Sequence, residues 1–195
     1  MQRDELERTA AIYTYLRGAL AIPAGLLFLL AALGNEQVGP FRHDWVFLAC
    51  LAALGGAYAL IARAYRRHYG RVSPPAEQQL RAVLAVALAV AVVLGGSLLL
   101  RSRAGFSLDL PVNAIATTFA LVMLASCAIA RVLRPHHGLV YGALLMAGAL
   151  PVWNGEDPSN TGLVMCGAAV IACGVLDHLA FVRTFGPREL PALDG

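Results

Sequence analysis

The chain has 195 residues, 58% of them hydrophobic and 14% charged, with a formal net charge of +3. Soluble domains carry about 25% charged residues, so there is too little polar surface here to coat a water-soluble globule. Nucleic-acid recognition needs a broad basic surface on a supporting domain, and the basic residues here sit in short links, so no nucleic-acid partner is expected.

Six windows contain no Asp, Glu, Lys or Arg: 18–35, 45–62, 82–100, 110–130, 135–155 and 158–176. An apolar run of about 18 residues or more crosses the hydrocarbon core of a bilayer as a helix. In hydrocarbon every backbone N–H and C=O must be paired internally, and the period-2 alternation of a membrane β-barrel is missing. The expected fold class is therefore an all-α integral membrane protein, with six transmembrane helices in one bundle.

Residues 1–17 form a polar lead. It mixes Arg3, Arg8 and Arg17 with Asp4, Glu5 and Glu7, whereas a cleaved signal peptide has a short, purely basic start. The lead reads equally as an interfacial helix or as a plain extension of the first span. The transmembrane domain is expected over residues 18–183. Its spans fall at about 16–34, 45–63, 82–100, 111–131, 138–153 and 160–180, and residues 184–195 form a short tail. Pro23 is expected to break the first span. Trp45 follows Asp44 at the start of the second, where aromatic residues favour the membrane interface. Ser73-Pro74-Pro75 precedes the third span, Pro111 opens the fourth, Pro135 precedes the fifth, and Asp157-Pro158 precedes the sixth. No link is long enough for a soluble domain.

All 15 basic residues are arginine, and arginine marks the cytoplasmic side. With the N-terminus inside, twelve arginines fall on the inner side. Arg42, Arg101 and Arg103 fall outside. Both termini are expected in the cytoplasm. The abundant alanine and arginine point to a bacterial cytoplasmic (inner) membrane. Arg63, Arg66, Arg67, His68, Arg71, Arg131, Arg134 and His136 are the expected contacts to anionic inner-leaflet lipid or to a membrane or cytoplasmic protein partner. An arginine near such a leaflet contributes about 1 kcal/mol. Tyr65 and Tyr69 are expected at headgroup level beside them.

Ile61–Val72 aligns with Ile129–Val140 at an offset of 68, with seven identities in twelve positions. A weaker echo ends the sixth span, where Gly186 stands against Gly70 and Gly138. This predicts three tandem helical hairpins as parallel repeats, with the glycine terminating each second helix. The alternative is a compositional coincidence among arginines that follow alanine-rich spans.

Ionisable residues inside spans are the default functional candidates in a membrane protein. Asp177 and His178 are the only such pair. Asp177 reads as a proton or cation site, or as a buried charge paired with an inner arginine, the arginine pairing being favoured. Asn113, Thr117, Trp153 and Asn154 are candidates for an outer-facing cavity, with interhelical hydrogen bonding as the alternative for the polar pair. Cys50, Cys127, Cys166 and Cys173 lie in apolar windows without metal-ligand spacing and read as helix-contact residues. Gly55, Gly56, Gly95, Gly96, Gly142, Gly148, Gly167 and Gly174 are among many small residues suited to close helix packing, within the bundle or between copies. No GxSxG, HExxH or phosphate-binding loop is present. His136-His137 offers a base at the inner face, with no nucleophile beside it. No catalytic residue, cofactor or metal ligand is assigned. The expected function is a non-enzymatic scaffold, sensor or accessory subunit. The alternative is a small transporter or channel coupled through Asp177, ahead of a lipid-modifying enzyme.

Overall fold

The computed structural model describes residues 17–37, 39–69, 80, 83–84, 87–88, 91, 113–129, 134–150 and 158–185. Among these residues the apolar runs form five α-helices and no strand: α1 Ala21–Asn35, α2 Asp44–Tyr69, α3 Ala114–Ile129, α4 Pro135–Ala149 and α5 Pro158–Phe185. Three segments are long and apolar enough to cross a membrane: Gly18–Asn35, Asp44–His68 and Ser159–Thr184. Helices α3 and α4 are apolar but have only 16 and 15 residues. At about 1.5 Å per residue each is shorter than a hydrocarbon core of about 30 Å. Val83, Leu84, Ala87, Leu88 and Ala91 of the expected third span, with Leu80 just before it, are helical and share one face by their spacing of three and four. The rest of that window, with Arg71, Arg131, Trp153 and Asn154, lies outside the described residues.

Helix boundaries follow local chemistry. Pro23 does not break α1. It lies in the first turn, just after a 3-10 turn at Gly18–Leu20, where a missing N–H removes no helical hydrogen bond. Pro135 occupies the first turn of α4, and Arg134 before it is extended at φ −101° and ψ 157°, as the clash with a following proline ring requires. The same proline separates the two arms of the sequence match. Positions 61–68 run as continuous helix in α2, whereas the aligned positions include the extended Arg134 and the start of α4. Gly138 sits inside the first turn of α4, its N–H donating to the Arg134 carbonyl at 3.1 Å, and does not terminate a helix.

Helices α1 and α5 are held together by glycine. A side chain at Gly25 would meet the Gly167 carbonyl at 2.8 Å, and one at Gly167 would meet the Gly25 carbonyl at 2.8 Å. The absence of side chains brings the two backbones together, the arrangement that membrane helices use where apolar burial cannot drive association. Gly55 and Gly56, on α2, have nothing within 4 Å. The main core joins α3, α4 and α5 through Ala116, Ala120, Tyr141, Leu144, Cys166, Ala169 and Cys173. Phe28 ties α1 to this core edge-to-face on Phe119, with ring centroids 5.2 Å apart. All four cysteines are free thiols, and Cys166 and Cys173 are buried.

Candidate functional site

The helix directions create two poles. At one, the C-terminal parts of α2 and α5 meet the start of α4 and the Arg17–Leu20 turn before α1. Phe181 of α5 is fully buried against Tyr65 of α2, their rings edge-to-face with centroids 5.2 Å apart. Of the described arginines, Arg17, Arg63, Arg66, Arg67, Arg134 and Arg183 lie at this pole, and Arg42 lies at the other. The other described acids, Glu36 and Asp44, also lie at the opposite pole. Asp177 is therefore the one acid among the described residues on a strongly basic end.

Asp177 is 8% exposed, and its partners are histidines. His136 Nε2 lies 2.9 Å from one carboxylate oxygen, and His137 Nε2 lies 2.9 Å from the other. The two rings are 4.4 Å apart. The expectation that an arginine pairs with Asp177 is thus corrected. Proline at the head of α4 starts that helix early enough to carry both histidines in its first turn, facing α5. His137 is 9% exposed, and its Nδ1 is buried with no hydrogen-bond partner among the described residues. Donor atoms of His136, His137 and Asp177 all lie within 4.8 Å of one another. Two imidazoles and a carboxylate at that spacing can share a proton network or a single metal ion.

His178 faces the other way. Its Nδ1 lies in hydrogen-bond contact with the Tyr65 hydroxyl at 2.6 Å, and the Arg17 guanidinium stands 5.5 Å from the centre of the Tyr65 ring, within cation–π range. Tyr65 is 4% exposed, so its ring packs between helices. Asp177 and His178 form adjacent arms from one turn of α5, one to α4 and one to α2. Tyr65→Phe keeps the ring packing and removes the hydroxyl. Its expected cost is about 1 kcal/mol, read as lowered thermal stability in detergent. Unchanged stability would show that the hydroxyl contact contributes nothing net.

Arg63, Arg66, Arg67, His68 and Arg183 are exposed, and Arg134 is half-buried. His136 is half-buried and joins the Asp177 cluster. At the opposite pole Asn113 is 1% exposed. Its N–H donates to the Gly148 carbonyl at 2.8 Å, and its side-chain oxygen accepts from the Ala116 N–H at 3.1 Å. It caps α3 inside packed structure instead of lining an open cavity. Thr117 is half-buried, its hydroxyl without a hydrogen-bond partner among the described residues. The polar contact at this pole that the sequence reading missed is Asn160, whose amide donates to Glu36 at 2.7 Å and accepts from Asn35 at 2.9 Å. A polar residue two positions inside α5 was the available signal.

A groove of about 360 Å³ reaches the cluster between His136, Leu176, Leu179, Ala180, Arg183 and Thr184. Comparison with protein-family models, with curated proteins and with solved structures finds no match to this chain.

Proposed function

We propose that this chain is a non-enzymatic component of a bacterial inner membrane, a scaffold, sensor or accessory subunit whose working end is its arginine-rich pole. The observation that carries this reading is the segregation of charge. Arg63, Arg66, Arg67, Arg183 and His68 are exposed at the ends of α2 and α5, while Glu36 and Asp44, with Arg42 between them in the chain, lie at the far end. Positive charge retained at one pole is the signature of a cytoplasmic face, and there it meets anionic headgroups or an acidic partner. Six spans in one bundle, as three parallel hairpins, with both termini in the cytoplasm, complete this reading. The six charge-free windows support the six spans, and the 68-residue offset supports the hairpins.

The test replaces Arg66, Arg67 and Arg71 together with glutamine. Native mass spectrometry of wild type and variant is run from mixed micelles holding phosphatidylglycerol and phosphatidylcholine. At about 1 kcal/mol per arginine, the preference for the anionic lipid falls roughly 100-fold. Equal retention by both proteins, or a variant that only inverts its topology, would remove lipid contact from the reading. A second polypeptide at fixed stoichiometry, lost in the variant, would make the pole a partner surface.

A small transporter is the second reading, favoured by one observation: Asp177 is a buried carboxylate within a helix long enough to span a membrane. Its position near one pole counts against this, because transporters bind their substrates near the midplane.

A further inference from the structure

We propose that His136, His137 and Asp177 form a binding site for a divalent transition-metal ion of the zinc class. The inference goes beyond lipid or partner contact at the arginine pole and does not depend on it.

The argument starts from redundancy. A buried carboxylate needs a compensating partner, and one histidine supplies it. Here two adjacent histidines converge, each on its own oxygen at 2.9 Å. The second ring brings a further desolvated polar group into the core. Its Nδ1 has no hydrogen-bond partner among the described residues, so the second ring adds a cost beyond what pairing one carboxylate requires. A metal ion bound through both Nε2 atoms would use both rings. Two imidazoles and one carboxylate are a donor set that borderline divalent ions favour.

The geometry is close to what such an ion requires. The donor atoms lie within 4.8 Å of one another. Four-coordinate zinc, with bonds of about 2.0–2.2 Å, places its ligand atoms roughly 3.4 Å apart, so the widest separation closes by at most about 1.4 Å while the 2.9 Å His–Asp contacts open slightly. Both histidines come from one helical turn and Asp177 from the facing helix, so the closure needs only side-chain movement. On binding, each Nε2 gives up its proton: a neutral ring moves its one proton to Nδ1, an imidazolium releases one to solvent, and the ion then takes the two Nε2 lone pairs. Three protein ligands leave one position open. The groove lined by His136 and Leu179 gives the ion access and gives that position a water or an exchangeable ligand. The basic surroundings disfavour a bare dication, and the Asp177 charge is what offsets them. Hard ions such as Mg²⁺, which keep oxygen ligands and their own water, are excluded by the two imidazoles.

The experiment uses the full chain in mild detergent, stripped with chelator and titrated with Co²⁺ and then Zn²⁺. The expected result is one ion per chain, with visible Co²⁺ absorption bands that Zn²⁺ displaces and Mg²⁺ does not. Losing an outer hydrogen-bond partner of a metal ligand already weakens binding about 10- to 100-fold, so Asp177→Asn and His137→Gln should each weaken it at least about 100-fold. His68→Gln and His178→Gln, which alter histidines outside the ligand set, should leave it intact. Both near-isosteric variants are checked for folding by protection of the buried Cys166 and Cys173 thiols. No saturable Co²⁺ spectrum in wild type, or one unchanged in Asp177→Asn, would overturn the site and leave a hydrogen-bonded cluster only. Loss in His68→Gln equal to that in His137→Gln would likewise overturn it, as adventitious surface binding.

Discussion

Replacing His136 and His137 together with alanine is expected to lower the thermal stability of the protein by roughly 10 °C. Asp177 is 8% exposed, and both of its oxygens are held by these rings. The double variant keeps the carboxylate and deletes both partners. An uncompensated buried charge costs about 3–5 kcal/mol, and for a chain of this size each kcal/mol shifts the midpoint by about 2–4 °C. Each single variant leaves one oxygen paired, so it should cost only about 1–3 kcal/mol. The diagnostic comparison is a triple variant that also carries Asp177→Leu. Removing the whole cluster abolishes the unpaired charge, and apolar replacement of a buried ionic group is often neutral. The triple variant should therefore be more stable than the double. Unfolding can be followed with a thiol-reactive dye, since Cys166 and Cys173 are 0% and 4% exposed. A double variant as stable as wild type would mean that Asp177 takes its compensation from water or headgroups reaching it through the groove.

The pattern of what the sequence revealed follows from the range of each interaction. Charge-free windows and prolines are local signals. They placed the end of α1 and the starts of α2 and α5 to within two residues, while the start of α1 and the end of α5 each fell five residues away, and Pro135 marked the start of α4. The end of α2 was missed by six residues, from 63 to Tyr69, because the arginines that close a hydrophobic window do not close a helix. Asp177 was legible as a lone charge in an apolar helix. Its partners were not, because they lie 40 and 41 residues away on a helix whose beginning looked like a loop. Pairing across helices leaves no period in the sequence. The surroundings of Tyr65 follow the same pattern. A tyrosine beside arginines reads as interfacial, and only the packing of Phe181 and His178 shows that its ring is buried between helices. The repeat shows the converse. Seven identities in twelve positions constrain composition, yet one proline is enough to give the two arms different backbones.

Gly167→Leu is expected to be among the most damaging single substitutions in the chain, while Gly55→Ala should be harmless. Both glycines lie in spans rich in small residues, and nothing in the sequence separates them. In the fold, a side chain at Gly167 would lie 2.8 Å from the Gly25 carbonyl and 2.9 Å from the Leu29 side chain. The carbonyl belongs to helical backbone and cannot turn aside, so α1 and α5 must move apart along their whole contact. Overpacking usually costs about 1–3 kcal/mol, and a clash with backbone belongs at or above the top of that range. Separation would also loosen Gly18 from Gly174, where a side chain at Gly174 would lie 2.7 Å from the Gly18 carbonyl. The disturbance would thus reach the turn that carries Asp177 and His178. The expected readout is a lowered unfolding midpoint together with faster labelling of Cys166 and Cys173 below it. Gly55 has nothing within 4 Å, and alanine there gains up to about 1 kcal/mol in helix propensity. Equal tolerance at the two positions would mean that α1 and α5 do not pack through the glycine seam, and the placement of Asp177 against α4 would lose its main constraint.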